Sequence, residues 1–254
     1  MSADVLLERD ADGIAVLTFN RPHVRNALTL DAMRQFHGLI ESLADDPSLR
    51  VLIVTGAGRD AFCSGGDLID LQSRPTEADA REFITIMGDA LAIMERLPAP
   101  VIAAVHGYAL GGGSEIAIAC DLRIVDEAAQ MGFVQIRMAL TPGWGAGQRL
   151  MRTVGYSRAL AILLEGRPMG ADELLAFGLA HHVAPRAQAL DEALTLARRI
   201  AKHPPTVVAS IKRVLWAGLT QPYADALQTE RDVFPALWAA EDHLRAVEMF
   251  LNRR

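Results

Sequence analysis

Two short stretches of the 254-residue chain combine residue types that can do chemistry: CSGGDL, residues 63–68, and YALGGGSEIAIACD, residues 108–121. In the second, Gly111, Gly112 and Gly113 stand almost directly before a carboxylate, Glu115, which runs on into Ile116, Ala117, Ile118, Ala119 and Cys120. A glycine turn entering a helix lets a ligand approach the backbone with no Cβ between them. The first N–H groups of that helix have no internal partner and point outward with partial positive charge. If two such turns face each other, two N–H groups can converge on one oxygen whose negative charge grows during reaction. One donor of this kind is worth roughly 3–4 kcal/mol of barrier. The plainer alternative is that the glycines only permit a tight turn and close packing. The presence of two matching turns favours function.

Glu115 sits in a helix that reads as apolar all round, which predicts burial. A buried carboxylate without partners is expensive, and its usual response is a raised pKa. A carboxyl group poised nearer neutrality is what general acid–base catalysis requires. The competing reading is a structural glutamate satisfied by a backbone donor or an arginine.

The elements that must position these residues follow from hydrophobic pattern and punctuation. Gly13–Phe19 (GIAVLTF) reads as a strand closed by Asn20-Arg21-Pro22, and Thr29 as the cap of a helix carrying Met33, Phe36, Ile40 and Leu43 at helical spacing. Val51–Thr55 is a short buried strand. A long helix presents Phe83, Ile86, Met87, Ala90, Leu91 and Met94, is stopped by Pro98 and Pro100, and is followed by the strand Val101–Val105. Leu122–Val125 is a further strand, Asp172–Gly178 a short helix, and Ala180–Val183 a last strand. A weak internal echo links VLIVT…CSGGDL with VIAAV…LGGGSEI: strand, turn, glycine pair, acidic residue, helix. Past about Arg186 only helical patterns remain, so an α/β core over residues 1–190 and a helical region over residues 191–254 are expected.

Composition narrows the classes. With 51% hydrophobic and 22% charged residues the chain is globular, and a formal charge of −6 argues against nucleic acid. No apolar run reaches the roughly 20 residues of a membrane span. The N-terminal MSADVLLERD reads as neither a secretory signal nor a transit sequence, so a cytoplasmic protein is expected. Cys63 and Cys120 lie in apolar surroundings and are expected to be reduced. GAGRDA, residues 56–61, matches a loose dinucleotide pattern, but Ser64-Gly65-Gly66 would break the helix that pattern needs, which argues against a nicotinamide oxidoreductase. His181-His182 has no third ligand at usable spacing, so no metal is expected.

Taken with NRPHVRNAL near the start, AFCSGGDL, PVIAAVHGYALGGGSEIAIACDLRI and TPGWGAGQRL, these segments resemble the crotonase (enoyl-CoA hydratase/isomerase) superfamily over most of the chain. The resemblance implies an α/β fold, a spiral of ββα units, followed by a helical region that builds trimers, often paired into hexamers. It also implies an acyl-CoA thioester substrate and no metal or redox cofactor, coenzyme A being part of the substrate. By position, it makes the N–H groups of Gly66 and Gly112 the oxyanion donors and Glu115 the first of two catalytic glutamates. It assigns Val24, Asn26, Ala27, Ser64, Asp67 and Leu68 to the coenzyme A stretches, and Arg253 to the basic residue that reaches phosphates from an adjacent subunit.

The second glutamate should fall within MGFVQIRMALTPG, and equal spacing to the Pro142-Gly143 turn places Gln135 there. Glutamine holds a water by hydrogen bonds but cannot exchange a proton as a carboxylate does. Loss of a general acid–base group costs ~10²–10⁴ in rate. Hydration by one carboxylate is therefore the expectation, with decarboxylation of malonyl-type CoA esters as its rival: that reaction needs an enolate stabiliser and a proton donor but no second base. FVQIRMALTPGWG, with Trp144 in the turn, resembles the ethylmalonyl-CoA decarboxylase branch, where Arg137 would meet a substrate carboxylate unless it serves an ordinary ion pair. A non-catalytic acyl-CoA-binding protein is the third possibility. Phe83, Met87, Met138 and Trp144 are candidates for the acyl pocket.

Overall fold

The computed structural model describes residues 3–252. Strands β1 (Val5–Arg9) and β2 (Ile14–Phe19) form a hairpin that leads through a 3-10 turn at Pro22–Val24 into α1 (Leu30–Ala44). Then come β3 (Val51–Gly56), β4 (Ala61–Cys63), the single-turn α2 (Leu68–Leu71) and α3 (Glu77–Arg96). The motif repeats as β5 (Val101–Val105), β6 (Tyr108–Leu110) and α4 (Gly112–Ala119), and again as β7 (Leu122–Asp126), β8 (Gln130–Gly132) and a 3-10 turn at Gln135–Met138. Helices α5 (Ala146–Val154) and α6 (Tyr156–Glu165), strand β9 (Met169–Gly170), helix α7 (Ala171–Ala176) and strand β10 (His182–Ala184) complete the core. Four helices follow: α8 (Ala189–Ala201), α9 (Pro205–Thr220), α10 (Tyr223–Trp238) and α11 (Glu241–Leu251).

The echo seen in sequence is a spatial repeat. Successive units give their first strand to a six-stranded sheet in the order β1-β2-β3-β5-β7-β10, parallel except for the β1–β2 pair. They give their second strand to a small sheet, β4-β6-β8-β9, in which β4, β6 and β8 run parallel. Because β4 and β6 are neighbours in that sheet, the two glycine turns that follow them are neighbours too. Topology thus performs what the sequence motifs only suggested.

The central strands β3 and β5 of the large sheet are buried along their whole length and read accordingly as unbroken apolar runs. On one face α1 buries Met33, Phe36, Ile40 and Leu43, as its spacing predicts, and Thr29 Oγ1 caps it by accepting from Ala32 N at 3.1 Å. Phe19 packs against Phe36 and Phe62, with ring centroids 5.7 and 5.9 Å away, under the first glycine turn. A capping box of Thr76 and Asp79 starts α3. On the other face lies α8, whose Ala189, Ala193 and Ala197 bring the helix close to Ile53, Ile102 and Ile124. Although α8 lies almost wholly within residues 191–254, the helical region drawn from the pattern, it packs on the sheet; the tail leaves the sheet only at α9. Cys63 and Cys120 are unpaired and buried, and desolvation pushes both thiols up to about 12.

Candidate active site

The first glycine turn is held by the segment that precedes α1. Ser64 N donates to the Arg25 carbonyl at 3.1 Å, Leu28 N to the Gly65 carbonyl at 2.8 Å, and Asp67 N to the Leu28 carbonyl at 2.8 Å. This alternation turns the Gly66 N–H the opposite way, where it meets no acceptor among the described residues. Asp67 then fixes the exit. Its Oδ1 accepts from Ile69 N at 3.1 Å, and its Oδ2 accepts from Arg21 Nη1 at 2.8 Å. Arg21, Asp67 and the cap of α2 therefore brace the turn.

The second turn begins at Gly111, whose φ of +54° suits glycine and whose N–H donates to the Gly132 carbonyl at 2.9 Å. Ser114, fully buried, ties the start of α4 to β8 by accepting from Gly132 N at 3.0 Å. Gly112 is the first residue of α4, so its N–H has no partner within the helix, and none is found among the other described residues. The two turns touch. A Cβ added at Gly65 would lie 2.9 Å from Gly112 N, and one at Gly113 would lie 1.9 Å from the Cys63 carbonyl oxygen. Gly66 and Gly112 are the partly open positions of their turns, while Gly65, Gly111 and Gly113 are buried.

Glu115, one turn along α4, is 2% exposed. Its Oε1 accepts from Gln135 Nε2 at 2.9 Å and from Gly143 N at 3.2 Å; its Oε2 accepts from Trp144 N at 2.7 Å and Ala146 N at 3.1 Å. Four donors fill the roughly four lone-pair sites of a carboxylate. Desolvation pushes the Glu115 pKa above its ordinary value, and the bonds from Ala146, Trp144, Gly143 and Gln135 pull it back without cancelling the rise. Gln135 thus stands beside Glu115, and its own Oε1 is a buried acceptor with no partner among the described residues. Of the four donors only Gln135 is a side chain, and only it can leave by rotating.

Trp144 is buried with its ring against Gly112, where an added Cβ would fall 2.1 Å from the indole. Its backbone holds Glu115 while its side chain abuts the glycine of the second turn. Ile84 on α3 lies 3.3 Å from where a Gly143 Cβ would stand, and it is exposed, as are Leu68 and Ile69 on α2 and Met138 and Leu140, which precede the turn over residues 143–146 in the chain. Of the other pocket candidates, Phe83 is half-buried and Met87 belongs wholly to the core. Arg137 is exposed.

Among the residues assigned to coenzyme A, Val24 and Ser64 are half-buried and Leu68 is 60% exposed. Ala27 is buried, and its carbonyl accepts from Arg21 Nη1 at 2.6 Å. The Asn26 side chain is consumed within the fold: it accepts from Arg21 N at 3.0 Å and donates to the carbonyls of Ala57 and Ala61 at 2.9 and 2.8 Å. Arg253 lies outside the described residues. Among those residues no group of three His, Cys, Asp or Glu could hold a metal, and no helix is long and apolar enough to cross a membrane.

Sequence reasoning passed over Arg21 and the pair Glu95–Arg149, which buttress the two ends of the site. Arg21, just before the 3-10 turn, and Arg149, on a helix face, carry no signal of their own; the one clue was that Arg149 follows the glycine turn inside TPGWGAGQRL. A cavity of about 510 Å³ lies elsewhere, at the far end of α4 beneath α9, with Glu95, Cys120, Arg149, Lys212, Trp216 and Leu219 in its wall. Gly66, Gly112, Glu115, Gln135 and Trp144 are not in its wall.

A spiral of ββα units that sets two outward N–H groups beside a buried carboxylate is the architecture of the crotonase superfamily. The chain belongs to the enoyl-CoA hydratase/isomerase family, whose model matches residues 9–254. It is 33% identical over 251 residues to a short-chain-enoyl-CoA hydratase of Clostridium acetobutylicum, covering 99% of this chain and 95% of that one. It is 32% identical to an ethylmalonyl-CoA decarboxylase of Gallus gallus over 244 residues, covering 95% and 82% of the two chains. The crystal structure of an enoyl-CoA hydratase from Bacillus anthracis superposes with a TM-score of 0.93 at 31% identity, covering 99% of this chain and 97% of that one.

Proposed function

We propose that the protein is an acyl-CoA lyase that adds water to an enoyl-CoA, or removes it, with Glu115 as its single proton-transferring carboxylate. The thioester carbonyl sits between the N–H groups of Gly66 and Gly112, which stabilise the enolate as charge moves onto oxygen. Glu115 takes a proton from water as the oxygen bonds to Cβ, and returns a proton to Cα, so hydroxyl and hydrogen together make up one water. Gln135 swings its Nε2 off Glu115 Oε1 and offers its unpartnered Oε1 to the water. The reading requires no metal or redox cofactor. It goes with a cytoplasmic homotrimer or dimer of trimers.

The observation that carries this reading is the buried Glu115 carboxylate, bonded to Gln135 and set one helical turn from Gly112. The neutral amide at 135 also favours a second reading, decarboxylation of a malonyl-type CoA ester, because an anionic substrate would meet one carboxylate there and not two. Crotonyl-CoA and ethylmalonyl-CoA assayed side by side decide between them. Loss of the conjugated enoyl absorbance with the first and no CO₂ from the second is the expected result. CO₂ release without hydration reverses the assignment. Equal CoA-ester binding by wild type and Glu115→Gln, with turnover by neither, would mark a binding protein.

A further inference from the structure

The turn over residues 143–146 delivers three backbone N–H groups to Glu115, yet its own sequence does little to stiffen it. Gly143 and Gly145 flank Trp144, and Gly145 takes a φ of +98°. Its rigidity comes from outside. Arg149 on α5, one helical turn beyond Gly145, donates from Nη1 to the Trp144 carbonyl at 2.6 Å. The same guanidinium donates from Nε and Nη2 to the two carboxylate oxygens of Glu95 on α3, at 2.8 and 2.7 Å. Both side chains are largely buried, 11% and 17% exposed. Glycine at 145 makes room for the fork, since a Cβ there would lie 2.6 Å from Nη1.

We propose that the Glu95–Arg149 pair is a positioning device for Glu115. By holding the Trp144 carbonyl it fixes the Trp144–Gly145 peptide plane, which lies between the Trp144 and Ala146 N–H groups that hold the Glu115 carboxylate. This rests on the reading of Glu115 as the proton-transfer group. A planar fork is required, because one cation must meet Glu95 at two points and a carbonyl at a third; an ammonium does not offer that geometry. Stability alone is a poor explanation. Apolar residues of similar volume replace a buried ion pair at little cost or with a gain, whereas they cannot bond the Trp144 carbonyl.

The test uses full-length protein labelled with ¹⁵N-tryptophan, whose three tryptophans give three backbone amide signals. The signal of Trp144 is identified by its loss in Trp144→Phe. Its 2.7 Å bond to a carboxylate places that proton downfield. In Arg149→Met the signal should move upfield and thermal stability should fall, because Glu95 is left buried without its partner. In Glu95→Met/Arg149→Met stability should return towards wild type, while the Trp144 signal stays upfield and kcat stays reduced by ~10²-fold, the scale of an ångström-sized misplacement, with KM little changed. A double variant with the wild-type Trp144 signal and kcat overturns the proposal. Should the double variant fail to fold, Arg149→Lys, which keeps the charge beside Glu95, is read by the same two measurements. If the wild type turns over no CoA ester, the hydratase reading fails, and the amide signal still decides the role of the pair.

Discussion

Glu115 is asked to do two opposed things: stay buried and exchange protons. Its carboxyl titrates above the ordinary glutamate range because desolvation outweighs four N–H bonds. As the base it must be ionised, so kcat/KM should fall as pH drops through that raised value. The stability effect has the opposite sign. Between the ordinary and raised values the folded chain holds a proton that the unfolded chain has lost, so this group's contribution to stability is greatest below the window and declines as pH rises through it. Across the acidic range initial rates should therefore rise with pH while the urea midpoint of wild type falls relative to that of Glu115→Gln, the other carboxylates being common to both. A second prediction concerns Gln135. Glutamate at this position would face Glu115 Oε1, now 2.9 Å from Gln135 Nε2, and two carboxyls so placed cannot both ionise. The shared proton gives Cα a donor separate from the base, two duties that Glu115 otherwise carries alone, so Gln135→Glu should raise the hydration kcat by ~10²-fold and make its pH profile bell-shaped. An unchanged hydration rate would mean that position 135 does not face the reacting atoms. Glu115 could be singled out from sequence because its neighbours are all apolar. Its bonding could not, because the donors come from residues 20 to 31 positions later.

At the scale of elements, the chemistry depends on two turns that are close because β4 and β6 are paired. Gly65 is the pivot: its φ is +94°, and an added Cβ would sit 2.9 Å from Gly112 N and 3.1 Å from the Leu110 carbonyl oxygen. Gly65→Ala should force the turns apart, with about 1–3 kcal/mol lost to backbone strain and a drop in kcat well beyond what that lost stability explains. Gly38, on α1, has nothing within 4 Å of an added Cβ, so Gly38→Ala should stabilise by ~0.5–1 kcal/mol and leave kcat unchanged. Thermal midpoints and kcat for the pair of variants check both halves; wild-type kcat in Gly65→Ala would show that the convergence of the turns is not needed. The large sheet was legible because β3 and β5 are unbroken apolar runs and β7 carries Ile124 and Val125 side by side. The small sheet was not. Strands such as AFC, YAL and QMG are too short to show any period, and only the repeat of glycine motifs hinted that something equivalent followed each long strand. The edge strand β1 was missed too, because VLLER alternates only weakly and stands beside a charged stretch.

For the whole molecule, the C-terminal helices pose the remaining physical problem. Neither α10 nor α11 has a buried residue, and α9 buries only Ala217. Leu215 is 67% exposed, Phe234 and Trp238 are 59% exposed, and Phe250 is 64% exposed. An isolated chain leaves a broad apolar surface in water, on a scale that marks interfaces and not solvent-facing helices. Lys212 pins α9 to the core through Asp121 at 2.6 Å and the Ala99 carbonyl at 3.2 Å, so the cavity beneath α9 is bounded by a fixed helix. Its wall includes the exposed Leu215 and Leu219. Burial of such side chains against copies of the same helices is worth roughly 1.5–3 kcal/mol each, and several together exceed the cost of association. The mass in solution should therefore exceed that of the 27.5 kDa chain, and three or six copies is the value that the proposed trimer or dimer of trimers requires. Leu215→Glu should lower that mass and the thermal midpoint together, because it places a charge in the contact without touching Glu115 or the glycine turns. Light scattering coupled to size exclusion reads the first and a thermal melt the second. A wild-type protein that runs as a monomer at micromolar concentration would mean that these apolar faces are covered in some other way.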